Sequence, residues 1–144
     1  MTAKQYLNQI KRYTKNISRI ERTIKEIRRT AGGAKAIDYS KDKVQTSPSN
    51  HTEDMIIKAM ELEDKLIAQK DMYQDAVALI TNQINQLNNP LYAEILYQKY
   101  VELKSLEQIA VSINFSYPYV KHMHGWALVS FEQTFLSNQK ENTQ

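Results

Sequence analysis

The sequence predicts an all-α fold, in which a long, coiled-coil-like antiparallel helical hairpin precedes a C-terminal helix-turn-helix. Three observations predict it. The chain has 144 residues with only 3 Gly and 3 Pro, beside plentiful Ile, Leu, Lys, Gln and Glu, a composition that favours helix. Two segments carry apolar residues at a 3–4 spacing. The stretch SLEQIAVSINFSYPYVKHMHGWAL, Ser105 to Leu128, starts with a helix cap, breaks near its middle and caps again.

The first helix is the most periodic. Tyr6, Ile10, Tyr13, Ile17, Ile20, Ile24 and Ile27 step alternately by four and three, a heptad seam. Every Lys and Arg of the segment falls off that seam. Ala31-Gly32-Gly33 is expected to stop the helix, since Gly is favoured just past a helix end. Residues 31–50 lack periodicity and read as a linker.

The second long helix should begin near Asn50, with Asn50 as cap and Glu53 reaching back as in a capping box. Its apolar positions are Ile56, Ala59, Leu62, Leu66, Tyr73, Val77, Ile80, Ile84 and Leu87. The last five repeat the spacing of the first seam, so the two helices are expected to fold back on each other or to pair between chains. Charge supports such pairing. Residues 1–30 carry nine Lys/Arg against two Glu, 9 − 2 = +7, and residues 52–89 carry three Lys against seven Asp/Glu, 3 − 7 = −4. A homo-oligomer is one expected outcome.

Asn88-Asn89-Pro90 ends that helix and starts another. Asn89 suits the cap and Pro90 the first helical position, where no N–H is needed. Leu91, Ile95, Leu96 and Tyr100 give the third helix its apolar face. Ser105 and Gln108 form a capping box for a short fourth helix, whose inward face is Leu106, Ile109, Ala110 and Ile113. Asn114 tolerates a left-handed turn. Phe115 is expected to plug the space between the helices. Ser116 caps the fifth helix, and Pro118 is tolerated in its first turn. Val120, Met123, Ala127 and Leu128 should face inward, leaving Tyr117, Tyr119, Lys121, His122 and Gly125 outside. Tyr92, Tyr97, Tyr100, Phe115, Trp126 and Phe131 read as core. The expected division is therefore 1–89, hairpin with linker 31–50; 90–136, helix-turn-helix; and 137–144, a frayed tail.

Residues 90–131 resemble region 4 of sigma-70-family factors. The matching pieces are ILYQKYVELKSL, then LEQIAVSINFS, then YVKHMHGWAL. The wider layout is similar to phage-encoded regulators of Gram-positive bacteria, the ArpU/RinA-like late-gene activators. The resemblance implies a transcriptional regulator, an activator of late genes, that binds double-stranded DNA and acts with the host RNA polymerase in the bacterial cytoplasm. Carried onto this chain, Ser116 would be cap and phosphate contact. Tyr117, Tyr119, Lys121 and His122 would lie in or beside the major groove, and Lys104 would sit nearby. This chain departs from the pattern where sigma factors usually place Arg or Glu, since it has Tyr, Pro and Tyr. Lys104 and Lys121 are the module's only Lys/Arg between 103 and 136, against Glu107 and Glu132. Phosphate neutralisation supplies much DNA affinity, so one module should bind weakly. Lys11, Arg12, Lys15, Arg19, Arg22, Arg28 and Arg29 form an auxiliary basic surface that could supply the missing charge.

Other classes are poorly served. With no Cys there is no disulfide framework or thiolate site. His122 and His124, two apart, lie on different helix faces, and His51 reads as a solvated linker residue. No phosphate loop, nucleophile elbow or catalytic carboxylate pair is visible, so neither a metal, a cofactor nor catalysis is expected. No apolar run approaches a membrane span, and MTAKQYLNQIKRY is not a signal peptide. Two rivals to the activator remain open: a protein-interaction module that touches polymerase or a regulator without DNA contact, and a phage DNA-packaging factor using the same helices.

Overall fold

In the computed structural model, which describes residues 1–41 and 48–137, with side chains for 1–31 and 51–137, every element is helical. The α-helices are α1 (Ala3–Leu7), α2 (Gln9–Lys41), α3 (Pro48–Asn85), α4 (Pro90–Leu96), α5 (Leu106–Ile113) and α6 (Tyr117–Phe131). Wider π-helical turns extend α4 over Tyr97–Val101 and α6 over Glu132–Leu136. No described helix is long and apolar enough to cross a membrane.

The chain divides into two compact units. One gathers Met1–Arg12 with Tyr73–Gln144, and the other is Tyr13–Met72. The division cuts through both long helices.

The first unit has a dense core. Ala3, Leu7 and Ile10 meet Ile80, Ile84, Leu87, Leu96, Tyr100, Ala127, Phe131 and Leu136, all buried. Phe131 is fully enclosed, with the rings of Tyr6 and Phe135 centred 5.8 and 4.9 Å away. Tyr6 also donates its hydroxyl to Gln83 Oε1 at 2.7 Å. The N-terminus is held by a capping box that the sequence reading missed: Thr2 Oγ1 accepts from Gln5 N and Gln5 Oε1 from Thr2 N. A break at Asn8 separates α1 from α2.

In the second unit the heptad seam of α2 turns inward as expected. Ile24 is buried and Tyr13, Ile17, Ile20 and Ile27 are half-buried, while every Lys and Arg of residues 1–30 is exposed. Two ion pairs join α2 to α3, Arg28 with Glu63, and Glu21 with Lys70 at 3.4 Å. Their order reverses between the two helices, which therefore run in opposite directions there.

Three expectations are corrected. Helix α2 does not stop at Ala31-Gly32-Gly33 but continues to Lys41. A Gly inside a helix costs only about 1 kcal/mol against Ala, and Ala31, Ala34 and Ala36 offset that locally. Helix α3 starts at Pro48, close to the expected boundary, but Asn50 lies inside its first turn and is not its cap, because Pro is pre-organised for a first helical position. The linker expected over 31–50 is thus mostly helix; residues 42–47, like the tail after 137, lie outside the described residues. Finally, Ile56 does not join the inward stripe and is 37% exposed. The stripe's centre is set by Ala59, Leu62 and Leu66, and Ile56 stands to one side of it.

Candidate functional site

The site is assembled from two caps and one turn. Ser105 Oγ accepts from Gln108 N at 3.2 Å and Gln108 Oε1 accepts from Ser105 N at 2.9 Å. These bonds close the N-terminus of α5, as the sequence indicated. Asn114 ends α5 in the left-handed conformation, φ 62° and ψ 43°. Its N–H reaches Val111 O, and Phe115 N–H reaches Ala110 O at 3.1 Å. The Asn cap turns the chain out of α5 and into α6 within three residues, at a position where other non-Gly side chains cost about 1–2 kcal/mol. Ser116 then caps α6, its Oγ accepting from Tyr119 N at 3.4 Å.

A small core fixes α6 against α5. Val120 and Met123 pack with Ile95, Ile109 and Ala110, all buried. Ala110, 5% exposed, is the small residue that lets the two helices approach. Farther along, Ala127 and Phe131 anchor α6 in the main core. Upstream, Asn89 Oδ1 accepts from Leu91 N and Tyr92 N, so α4 begins where its cap and Pro90 require.

The structure leaves Ser116, Tyr117, Tyr119, Lys121 and His122 all exposed. Exposed Gly125 has open space around the position a Cβ would take. The first turn of α6 has few amide donors to offer an anion. Pro118 has none, Tyr119 N–H is used by Ser116 Oγ, and Val120 N–H by Ser116 O. The Tyr117 amide is left. Lys104 is only partly exposed and faces Glu102 at 3.7 Å, so part of its charge is already answered.

The auxiliary basic residues all lie on α2. Lys11 and Arg12 belong to the unit that contains α6; Lys15, Arg19, Arg22, Arg28 and Arg29 belong to the other. Four of those five are engaged: Arg28 with Glu63, Arg19 with Asn16, Arg22 with the Ser18 carbonyl at 3.3 Å, and Arg29 with Glu26 at 2.6 Å. The Arg29 hydrogen bond, with its charge, holds the Glu26 carboxyl below its ordinary range.

Two aromatic assignments are corrected. Phe115 does not plug the interhelical space; it is 42% exposed and its ring lies 5.3 Å from that of Tyr119. Val120 and Met123 already fill that space. Trp126 is 53% exposed and stacks on His122 at 6.2 Å. Its signal was in the helical period: Trp126 lies seven residues after Tyr119 and four after His122, off the Val120–Met123–Ala127 stripe.

His124 was also missed as a structural residue. It turns inward and meets Tyr100, Oη to Nε2 2.8 Å, with the rings 5.7 Å apart. Burial, then the charges of Lys99 and Lys4, push the His124 pKa down to about 4. Burial pushes Tyr100 up to about 12. Both are neutral at physiological pH, so His124 adds no charge to α6. A second unanticipated feature is Leu103, left-handed at φ 59°. It ends the π-helical turn, with Lys104 N–H donating back to Gln98 O at 2.9 Å.

Comparison with known protein families, curated proteins and solved structures finds no match for this chain.

Proposed function

We propose that α5 and α6 form a helix-turn-helix that reads duplex DNA, and that the protein is a transcriptional regulator of the phage late-gene activator type. One observation carries this reading. The first two turns of α6 hold Tyr117, Tyr119, Lys121 and His122 outward, on a frame fixed by Ser105, Asn114 and Ser116 and by a core of Ile109, Ala110, Val120 and Met123. A recognition helix needs just this: rigid seating, and polar and aromatic groups at its N-terminal end. Lys121 can donate to guanine O6 and N7 or to a phosphate. The tyrosine hydroxyls can bond phosphate or base edges. In this reading α2 and α3 form a long antiparallel hairpin that sets assembly or meets the host polymerase.

The arrangement also bounds the affinity. One cation on the groove face, one free amide and a Lys104 paired with Glu102 make for weak binding with a shallow salt dependence. Fluorescence anisotropy with labelled duplexes from the late region of the source genome, at low salt and with or without bacterial RNA polymerase, tests it. Saturable binding is expected. Lys121→Ala should lower the salt slope by about one. No binding under either condition would refute the activator reading.

A second reading is favoured by a specific observation. Phe115, Tyr119, His122 and Trp126 present paired rings with almost no charge, a composition typical of protein-binding hot spots. A module that contacts polymerase or another regulator without DNA would use that surface. In Tyr117→Ala/Lys121→Ala, loss of DNA binding with partner binding intact favours direct readout, and loss of partner binding with DNA binding intact favours this second reading.

A further inference from the structure

The unit Tyr13–Met72 exposes more large apolar side chains than it buries. Its buried residues among those described are Ile24, Ala31 and Ala59, while Ile56, Ile57, Met60, Ile67 and Met72 are 37–61% exposed. Single exposed apolar side chains are ordinary, but three of these form a row. Positions 56, 60, 63, 67 and 70 of α3 step by 4, 3, 4, 3, a second seam beside the one that faces α2. Ile56, Met60 and Ile67 alternate in it with Glu63 and Lys70, the residues that bind Arg28 and Glu21. The seam therefore lies on one face of the α2–α3 pair, and the ion pairs run down the middle of that face.

The two edges of the face differ in charge. At about 100° per residue, Asp64 and Asp71 lie outside the apolar row on the α3 edge, and Arg22 and Lys25 lie outside the ion pairs on the α2 edge. All four are exposed, and among the described residues none of the four has an ion-pair partner.

We infer that this face is the contact between two copies of the chain, which pack their α2 and α3 helices as a four-helix bundle about a two-fold axis parallel to the helices. Such an axis sets the α3 edge of each copy opposite the α2 edge of the other. Asp64 and Asp71 then meet the partner copy's basic edge, twice, and the apolar row is covered. The alternative axis, across the helices, would set acidic edge against acidic edge. Charge thus selects both the occupant, a second copy, and its orientation. Two helices alone leave their seam half-exposed, as Ile17, Ile20 and Ile27 are here; four close it.

Sedimentation equilibrium of the full chain tests this. Wild type should be a dimer at micromolar concentration, twice the 16.8 kDa of the chain. Met60→Glu with Ile67→Glu should weaken dimerisation at least tenfold, with helicity checked by circular dichroism. A charge exchange covers the case of misfolding. Asp64→Lys/Asp71→Lys and Arg22→Glu/Lys25→Glu chains should each dimerise poorly alone and form the mixed dimer when combined. A wild type that stays monomeric at 100 µM would overturn the inference, and so would a dimer indifferent to Met60→Glu/Ile67→Glu or an exchange pair that fails to recover. None of these outcomes depends on DNA binding.

Discussion

The two units use the same helical periodicity to different ends. Met1–Arg12 with Tyr73–Gln144 holds sixteen of the nineteen buried apolar residues among those described, and Tyr13–Met72 holds three. The first unit brings six helices or helix ends together, so Phe131 and Ile84 have neighbours on every side. In the second, two helices meet along one seam, and its large side chains remain half-covered. The difference shows that a heptad pattern specifies which face turns inward, not how completely it is covered. Coverage depends on how many elements arrive.

The comparison breaks first at the largest packed side chain. Phe131→Ala removes a wholly buried ring between Tyr6 and Phe135. It should cost about 3–5 kcal/mol in urea unfolding, and a loss under 1 kcal/mol would mean that this core is not close-packed.

The next effect is the acid sensitivity that His124 gives the first unit. Unfolded, His124 titrates near 6.5; folded, near 4. Between those values only the unfolded chain takes the proton, so stability is full above pH 6.5 and falls as the pH drops toward 4. The shift, discounted for the part of the ring that water still reaches, corresponds to about 2 kcal/mol. Urea midpoints at pH 7.5 and 4.5 should differ accordingly for wild type, and His124→Gln should flatten the difference. An unchanged slope in that variant would remove His124 as the cause.

The smallest effect belongs to the second unit. Glu63→Gln breaks the pair with Arg28, exposed in a single chain, and at concentrations where the chain is monomeric should cost about 0.2–1 kcal/mol, diminished by salt. A larger loss would show that the pair is more enclosed than its surroundings in a single chain allow.

Much of the local architecture was legible in the sequence. Asn89, Ser105, Ser116 and Asn114 act on backbone groups within three residues of themselves, so their roles need no tertiary information. The seams of α2 and α3 were legible for the same reason, and so was the exposure of Tyr117, Tyr119, Lys121 and His122. The features that escaped depend on distant neighbours. Phe115 and Trp126 looked like core because aromatic residues usually are; whether space remains for them was decided by Val120, Met123 and Ala127. His124 became a buried partner because Tyr100 lies on another helix. The glycines at 32–33 looked like a stop because Gly is common at helix ends, and nothing in those two residues reports whether the chain beyond them stays helical. Leu103 gave no signal at all, since Leu is not a residue that favours a left-handed turn.

The outward face of α6 is where the proposed function is most exposed to refutation. The chain has a single Trp, Trp126, exposed on that helix and stacked on His122, so its emission reports on the face directly. Titration with late-region duplex DNA at low salt should change Trp126 fluorescence saturably, and the change should vanish in Tyr117→Ala/Lys121→Ala. Emission that stays constant through the titration while DNA anisotropy reports binding would place the contact elsewhere and contradict a reading helix at α6.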